Sequence, residues 1–244
     1  MGKIEELKDY LRCIGNSVYD DEEVETIFKD IADILLNWCI IRVNTKRFRI
    51  LEIEFYLLGG KHDDIITYPR TDMEGGEWFF HRSGVDICFY SHCAIIDSHF
   101  DLKKENKFGG ILIRSIEEVD HQMAPIGKPI FGPWNSMDVI CSKLGAFDDN
   151  RVINQIACIE ETICPSSAYV VPSATKRHIP VKEDEILKKV SNILSDNYKI
   201  KEILPKWKDS FVKYLDKDWR YYIHRENFWK NYNANPLYAK NDHR

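Results

Sequence analysis

The chain lacks several features that would fix its class at once. Nowhere in its 244 residues is there an apolar run of about 18 residues, the length that a membrane-spanning helix needs. The seven cysteines are odd in number and form no Cys-x-x-Cys pair. In a chain of this size they indicate reduced, mostly buried thiols. We therefore expect no membrane association and a cytoplasmic location.

Common catalytic motifs are also missing. The sequence has no P-loop, no Gly-x-Gly-x-x-Gly, no Gly-x-Ser-x-Gly and no His-Glu-x-x-His. Their absence argues against nucleotide hydrolysis, dinucleotide redox chemistry, esterase chemistry and zincin chemistry. No internal repeat, low-complexity segment or linker divides the chain, so a single domain is expected.

Basic residues are slightly outnumbered by acidic ones, 34 against 39, and are unevenly distributed. The net charge of −5 argues mildly against tight nucleic-acid binding, because phosphate contacts need lysine and arginine. Residues 1–175 carry 18 basic against 29 acidic side chains, whereas residues 176–244 carry 16 against 10. The basic stretch could form half of a phosphate-binding surface or could pair with the acidic body. Charge alone favours pairing.

Hydrophobic periodicity predicts helices first and strands after them. The stretch "YDDEEVETIFKDIADILLNW" (19–38) offers Asp20 or Asp21 as an N-cap, acidic residues in the first turn and apolar residues at helical spacing. From about 41 to 131, six short runs rich in β-branched and aromatic residues are bounded by Gly, Pro or Asp turns. Such runs with little helix between them predict a curved antiparallel sheet.

Helical patterns return after the strands. Asn135 or Ser136 would cap a helix that ends at Gly145. Two more helices are predicted at about 182–195 and 205–216, the second after a proline. A strand-like tail follows them.

These elements predict an α+β fold. We expect a single domain over 1–244, in which a curved, mainly antiparallel sheet is surrounded by helices. Residues 1–40 would form a helical N-terminal extension, and residues 41–244 would form the body.

One strand carries an unusual polar pattern. In "FRILEIEFYLLGGKHDD" (48–64), Glu52, Glu54 and Tyr56 share one strand face, and apolar residues share the other. The two glutamates could be solvated charges on an exposed sheet face. Alternatively, the face lines a cleft in which one carboxylate does chemistry. Glu52 and Glu54 are roughly 7 Å apart along the strand, which would favour protonation of one of them.

Other candidate groups lie on separate segments. His81 and Arg82 occupy a tight strand–turn–strand, where the arginine could bind a phosphate or carboxylate. Arg114 ends an apolar strand, as a buried ion-pair partner or as a substrate contact. The stretch "SHCAIIDSHFD" is dense in metal-capable groups, including His92 and His99, but matches no standard zinc spacing.

Five stretches together resemble the animal-type alkyladenine (3-methyladenine) DNA glycosylases, distantly and in the same order along the chain. They are "RILEIEFYLLGGKHDD" (49–64), "GEWFFHRSGVDICF" (76–89), "GILIRSIEE" (110–118), "GPWNSMDVICSKLGAFDDNRV" (132–152) and "DWRYYIHRENFWKNYN" (218–233). The likeness covers about residues 45–233. It implies the glycosylase fold and base-excision repair of a modified purine in nucleic acid, DNA more than RNA, without metal or cofactor.

The resemblance also assigns roles. Glu54 falls on the glutamate that activates water, and Tyr56 on a tyrosine that stacks on the flipped base. The family's pocket histidine falls near Thr67 or Tyr68, and its second stacking tyrosine falls on His81. The strand-end arginine falls on Arg114. We therefore expect Glu54 to be catalytic, and substrate to be bound by Tyr56, Tyr68, His81, Arg82 and Arg114.

The chemistry is consistent with these residue types. An N-glycosidic bond breaks through a sugar with cation-like character, so a carboxylate beside it can stabilise the charge and take a proton from water. A flipped base needs aromatic faces to replace its lost stacking. Two other functions remain open: a non-catalytic nucleotide or nucleic-acid binding module on the same fold, and a metal-dependent hydrolase using His92 and His99.

Overall fold

The computed structural model describes most of the N-terminal two thirds of the chain and two later segments. The described residues are 2–16, 18–64, 66–68, 70, 72–92, 107–141, 157–177 and 212–223, with the backbone of 95–96 and 99–100.

Two N-terminal helices precede the sheet. They are α1 (Lys3–Asn16) and α2 (Asp21–Asp33), and a π-helical turn (Ile34–Trp38) continues α2. Asp20 is the N-cap of α2: its side chain accepts from the backbone N–H of Glu23, and its own N–H donates to the Glu23 side chain, which completes a capping box. The N-cap prediction is therefore confirmed.

Twelve strands and a third helix follow in the described residues. The strands are β1 (Cys39–Val43), β2 (Lys46–Gly59), β3 (His62–Asp63), β4 (Trp78–His81), β5 (Gly84–Cys88), β6 (Ile95–Ile96), β7 (His99–Phe100), β8 (Phe108–Glu118), β9 (Ile130–Phe131), β10 (Cys158–Glu161), β11 (Ser173–Thr175) and β12 (Arg220–Tyr222). Helix α3 (Pro133–Cys141) lies between β9 and β10.

A single large sheet organises the fold, in the order β10-β1-β2-β8-β5-β4, and its strand pairs are antiparallel. The long strand β2 is its axis. Strands β1, β12 and β3 follow one another along one edge of β2, and β8 runs along the other. The curved sheet with its helices confirms the predicted α+β class.

The N-terminal helices cover the apolar face of this sheet. Phe28 of α2 stacks on Phe55 of β2 with ring centroids 4.1 Å apart, and Phe89 and Trp219 complete the aromatic cluster. Residues of α1 such as Leu11 lie in the same core. Burying each large apolar side chain contributes about 1.5–3 kcal/mol, so these helices are an integral part of the core.

Some predicted boundaries are corrected and others lie outside the described residues. Helix α3 begins at Pro133, not after an Asn135 or Ser136 cap, because proline fits the first helical position. Its predicted end at Gly145 and the helix at 182–195 fall outside the described residues. Of the helix predicted at 205–216, residues 212–215 are helical. Among the described helices, none has the length and apolarity needed to cross a membrane.

Candidate active site

The polar face of β2 is buried, which removes the interpretation that its glutamates are solvated. Glu52 is 1% exposed and Glu54 is 0% exposed. The β2–β8 register shifts on either side of Glu52, where Ser115 is its partner and Arg114 is the residue beside it. A β-bulge of this kind reorients a side chain relative to the regular alternation of side chains along a strand. It allows the guanidinium of Arg114 to reach both carboxylates.

Glu54 is held by two neighbours. Arg114 Nη1 donates a 2.8 Å hydrogen bond to Oε2 of Glu54. The hydroxyl of Tyr56, two residues along the same strand face, donates to the other oxygen, Oε1. The carboxylate is therefore oriented by a cation on one side and a phenol on the other.

Glu52 is held more heavily. Its Oε1 accepts from Arg114 Nε at 3.0 Å and from Arg220 Nε at 2.5 Å, and its Oε2 accepts from the Ser115 hydroxyl at 2.8 Å. Burial would raise the pKa of Glu52, but the guanidinium groups of Arg114 and Arg220 outweigh it, and the pKa lies below its ordinary value. The expected repulsion between the two glutamates therefore does not keep Glu52 protonated.

A second ion pair, between Asp64 and Arg177, lies against the ring of Tyr56. Arg177 binds Asp64 through two hydrogen bonds, of 2.6 and 3.1 Å, and its guanidinium carbon lies 5.2 Å from the centroid of the Tyr56 ring. Burial and the negative charge of Glu54 raise the pKa of Tyr56 well above its usual value. The phenol therefore stays protonated and remains a hydrogen-bond donor to Glu54.

Arg70 and Asp86 form a neighbouring cluster on the same face. Arg70 donates to Asp86 at 2.9 Å and to the Cys88 sulfur at 3.1 Å, and it lies 4.4 Å from the Phe79 ring centroid. Gly110 of β8 makes room for it, because a Cβ there would come within 2.6 Å of the Arg70 guanidinium.

The same cluster fixes the orientation of His81. Its Nδ1 accepts from the backbone N–H of Ser83 at 3.2 Å, so we assign the ring proton to Nε2, which donates to Asp86 at 3.0 Å. Tyr68 packs on the imidazole with centroids 4.5 Å apart, and Phe79 stacks on it at 5.6 Å. With both nitrogens engaged, His81 offers an aromatic face instead of a free base.

The predicted site residues thus fall into two adjacent groups. Glu54, Tyr56 and Arg114 are in direct contact. Glu54 and Asp86 both lie opposite Leu112 of β8, so their Cα atoms are two strand spacings apart, about 10 Å.

The second group is anchored on Asp86 and contains Tyr68 and His81. Arg82 is exposed in the turn after β4 and lies outside the buried network. Arg114 is engaged with the two carboxylates, so as placed it orients Glu54 and does not offer its Nε or Nη1 to a substrate.

Several members of this network were missed by sequence reasoning. Among the described side chains, the buried ion pairs include Glu52, Glu54, Asp64 and Asp86 with Arg70, Arg114, Arg177 and Arg220. For Arg177 and Arg220, the basic excess of residues 176–244 was the available signal.

In the described part of that basic stretch, the expectation of pairing with the acidic body is met. Arg177 binds Asp64 and Arg220 binds Glu52. Further pairs with helix α2 involve lysines at the end of the described chain: Lys213 with Asp21, and Lys217 with Asp21 and Glu25.

The proposed metal cluster is not assembled by the side chains that the structure describes. His92 has a side chain that is 65% exposed and lies 3.4 Å from a carboxylate oxygen of Asp72. The side chain of His99 falls outside the described set. Within that set, no three His, Cys, Asp or Glu residues are grouped as metal ligands.

A distant similarity links the chain to a viral protein. Over 128 residues the chain is 31% identical to an uncharacterized protein of Acanthamoeba polyphaga mimivirus, and the match covers 47% of this chain and 56% of the relative. The chain thus spans little more than half of that relative. No family model matches the chain, and no solved structure matches it.

Proposed function

We propose that the protein hydrolyses the N-glycosidic bond of a modified purine in nucleic acid, with Glu54 as the general base. The observation that carries this proposal is the support of Glu54: Arg114 holds one carboxylate oxygen, and Tyr56 donates to the other. The resemblance to the alkyladenine glycosylases assigns water activation to this same glutamate. The nucleic acid would be DNA more readily than RNA, as in base-excision repair in the cytoplasm.

Glu54 suits this role better than its neighbour. Glu52 is bound by two arginines at Oε1 and by the Ser115 hydroxyl at Oε2, so two cations fix its carboxylate in place. On Glu54, a neutral phenol binds Oε1, and a phenol is more easily exchanged for water than a guanidinium is. In the proposed reaction Tyr56 moves from Oε1 and a water takes its place. The bond between C1′ and the base nitrogen breaks, the base leaves with the bonding electrons, and the sugar gains positive charge. The water oxygen then bonds to C1′ while Glu54 takes a proton from the water.

Aromatic groups beside the carboxylate support base binding. Tyr56 lies next to Glu54. The stacked Tyr68 and His81 lie farther along the same face, since His81 belongs to β4, three strands from β2, and it reaches toward Glu54 as far as Asp86, two strands away. A purine that has left the base stack regains stacking energy when it packs on aromatic side chains of this kind. Arg82, exposed beside His81, is available to a phosphate.

A second function is favoured by a different observation. Glu54 is fully buried, and each of its oxygens already has a protein partner. A buried, charge-balanced network of this kind also suits a rigid scaffold without chemistry. On that basis the alternative is a non-catalytic module that binds a nucleotide or nucleic acid through the Tyr68–His81 surface.

Base release from oligonucleotides distinguishes the two functions. The substrates carry alkylated or deaminated purines, in single and double strands, and free base is measured under single-turnover conditions. Glu54→Gln keeps the shape of the side chain but removes the general base. The rate at which the purine is released should therefore fall by about 10²–10⁴-fold. Glu118→Gln, which removes a partly exposed carboxylate of β8 paired with Lys46, is the matched control.

Equal rates in the wild type and in Glu54→Gln would refute the catalytic role. Binding of the same oligonucleotides without any base release by the folded wild type would support the binding module instead.

A further inference from the structure

The ion pair between Asp64 and Arg177 lies beside Tyr56 and takes no direct part in the proposed reaction. Both side chains are fully buried. Arg177 donates to the carbonyl of Phe55 at 3.3 Å, and Asp64 accepts from the N–H of Leu57 at 3.2 Å. The pair therefore binds the β2 backbone on both sides of Tyr56.

The guanidinium also contacts the ring. Its central carbon lies 5.2 Å from the Tyr56 centroid and 5.4 Å from the Trp219 centroid. Two further donations from Arg177, to the carbonyl of Tyr214, fix the guanidinium to the segment before β12. The Tyr56 ring is thus backed by a cation that is itself bound to Asp64, Phe55 and Tyr214.

We propose that Asp64 and Arg177 form a positioning unit that sets the plane of the Tyr56 ring, so that the ring is ready to stack on the substrate base once its hydroxyl has left Glu54. This inference rests on the proposed function for its consequence in activity. Its structural part, the control of the ring by the ion pair, is independent of any reaction. Asp64 and Arg177 are positioning residues, since they act through Tyr56.

The pair is best removed as a whole. A single change would leave one charge buried without its partner, and such proteins often fail to fold. The double variant Asp64→Asn with Arg177→Met avoids this, because the amide oxygen can still accept from Leu57 and methionine fills much of the arginine's volume. The double variant loses both the hydrogen bond from Arg177 to the carbonyl of Phe55 and the cation over the Tyr56 ring.

Arg49→Lys is the matched control. Arg49 is 1% exposed, lies on the same strand, and donates to the carbonyl of Leu36 and the side chain of Asn37. Its change disturbs a buried guanidinium seven residues from Tyr56, roughly 24 Å along the strand. Any general effect of losing such a group should appear equally in the control.

The first readout is ¹⁹F NMR of protein labelled with 3-fluorotyrosine, in which Tyr56→Phe identifies the resonance of Tyr56. The double variant should shift or split that resonance, because the ring gains more than one orientation, and Arg49→Lys should leave it in place. An unchanged Tyr56 resonance in the folded double variant would overturn the proposal.

The second readout is base release. Displacing a substrate-positioning group by about 1 Å can cost roughly 10²-fold in rate. We therefore expect kcat/KM to fall about 10²-fold in the double variant and to change less than threefold in Arg49→Lys. A double variant as active as the control would also overturn the positioning role. If the wild type itself releases no base, the proposed function fails, and the NMR result alone decides whether the ion pair sets the ring.

Discussion

Between Phe48 and Phe55 the two faces of strand β2 are both buried, but they are stabilised in opposite ways. On one face Phe55 stacks on Phe28 in the aromatic core, and the neighbouring Ile53 is fully buried with it. On the other face Glu52 and Glu54 are just as inaccessible to water. Apolar side chains need only close packing, whereas each buried carboxylate needs ionic and hydrogen-bonding partners to offset its desolvation.

This difference bears on function. A buried ion-pair network is commonly no more stabilising than apolar side chains of the same volume. Stability alone therefore does not account for a face that gathers four carboxylates and four arginines from separated parts of the chain. A site that must hold a carboxylate ionised and oriented does account for it, which is why the polar face is the centre of the proposed function.

The largest effect should come from the apolar face. Phe55→Ala removes a ring that stacks on Phe28 at 4.1 Å and meets Tyr221 edge-on at 5.6 Å. The free energy of unfolding should fall by about 3–5 kcal/mol, as for other aromatic truncations in a core. Urea denaturation followed by circular dichroism measures it. A loss below about 1 kcal/mol would mean that the two faces do not differ as described.

A smaller loss of unfolding free energy is expected when Glu52 is replaced. Unlike the loss at Phe55, it should depend on pH. Glu52→Gln keeps the volume but leaves Arg220 and Arg114 without this carboxylate, at a cost of about 3 kcal/mol near pH 7. The pKa of Glu52 is lower in the folded than in the unfolded protein. Its stabilisation is therefore complete above its unfolded pKa of about 4.3 and is lost as the pH falls through the folded value.

The measurement is urea denaturation of the wild type and Glu52→Gln between pH 7 and pH 3. The difference in unfolding free energy between them should be constant above about pH 5 and should shrink below about pH 4. Phe55→Ala serves as the control, since its difference from the wild type should not follow this titration. If the difference in unfolding free energy between the wild type and Glu52→Gln did not depend on pH, the ionised pairing of Glu52 with Arg114 and Arg220 would be contradicted.

The sequence predicted what depends on neighbours along the chain. The alternation of β2 placed Phe55 and Tyr56 on opposite faces, and Asp20 was one of two N-caps named for α2, because these features depend on residues one to four positions apart. The β-rich runs likewise identified the antiparallel sheet. The same alternation of β2 placed Tyr56 on the face of Glu54, whereas the approach of Arg114 to Glu54 was reached only through the order of the five stretches.

What the sequence did not predict depends on distant parts of the chain. Arg220 meets Glu52 across 168 positions, and Arg177 meets Asp64 across 113. No local pattern distinguishes these arginines from the other basic residues of the C-terminal stretch. The bulge that brings Arg114 to both glutamates is likewise a property of the β2–β8 pairing, and β2 alone does not encode it.

The smallest effect, and the finest test of the polar face, is expected from Tyr56→Phe. The change removes one hydroxyl from Oε1 of Glu54 and leaves the ring backed by Arg177. A hydrogen bond to a charged group is worth about 1.5–3 kcal/mol, and Glu54 keeps its bond to Arg114, so the unfolding free energy should fall by about 1.5 kcal/mol. Because Tyr56 has to leave Oε1 for water to bind, base release should change less than tenfold. A loss comparable with that of Glu54→Gln would instead show that the hydroxyl takes part in the reaction, and would contradict its departure from Oε1 in the proposed mechanism.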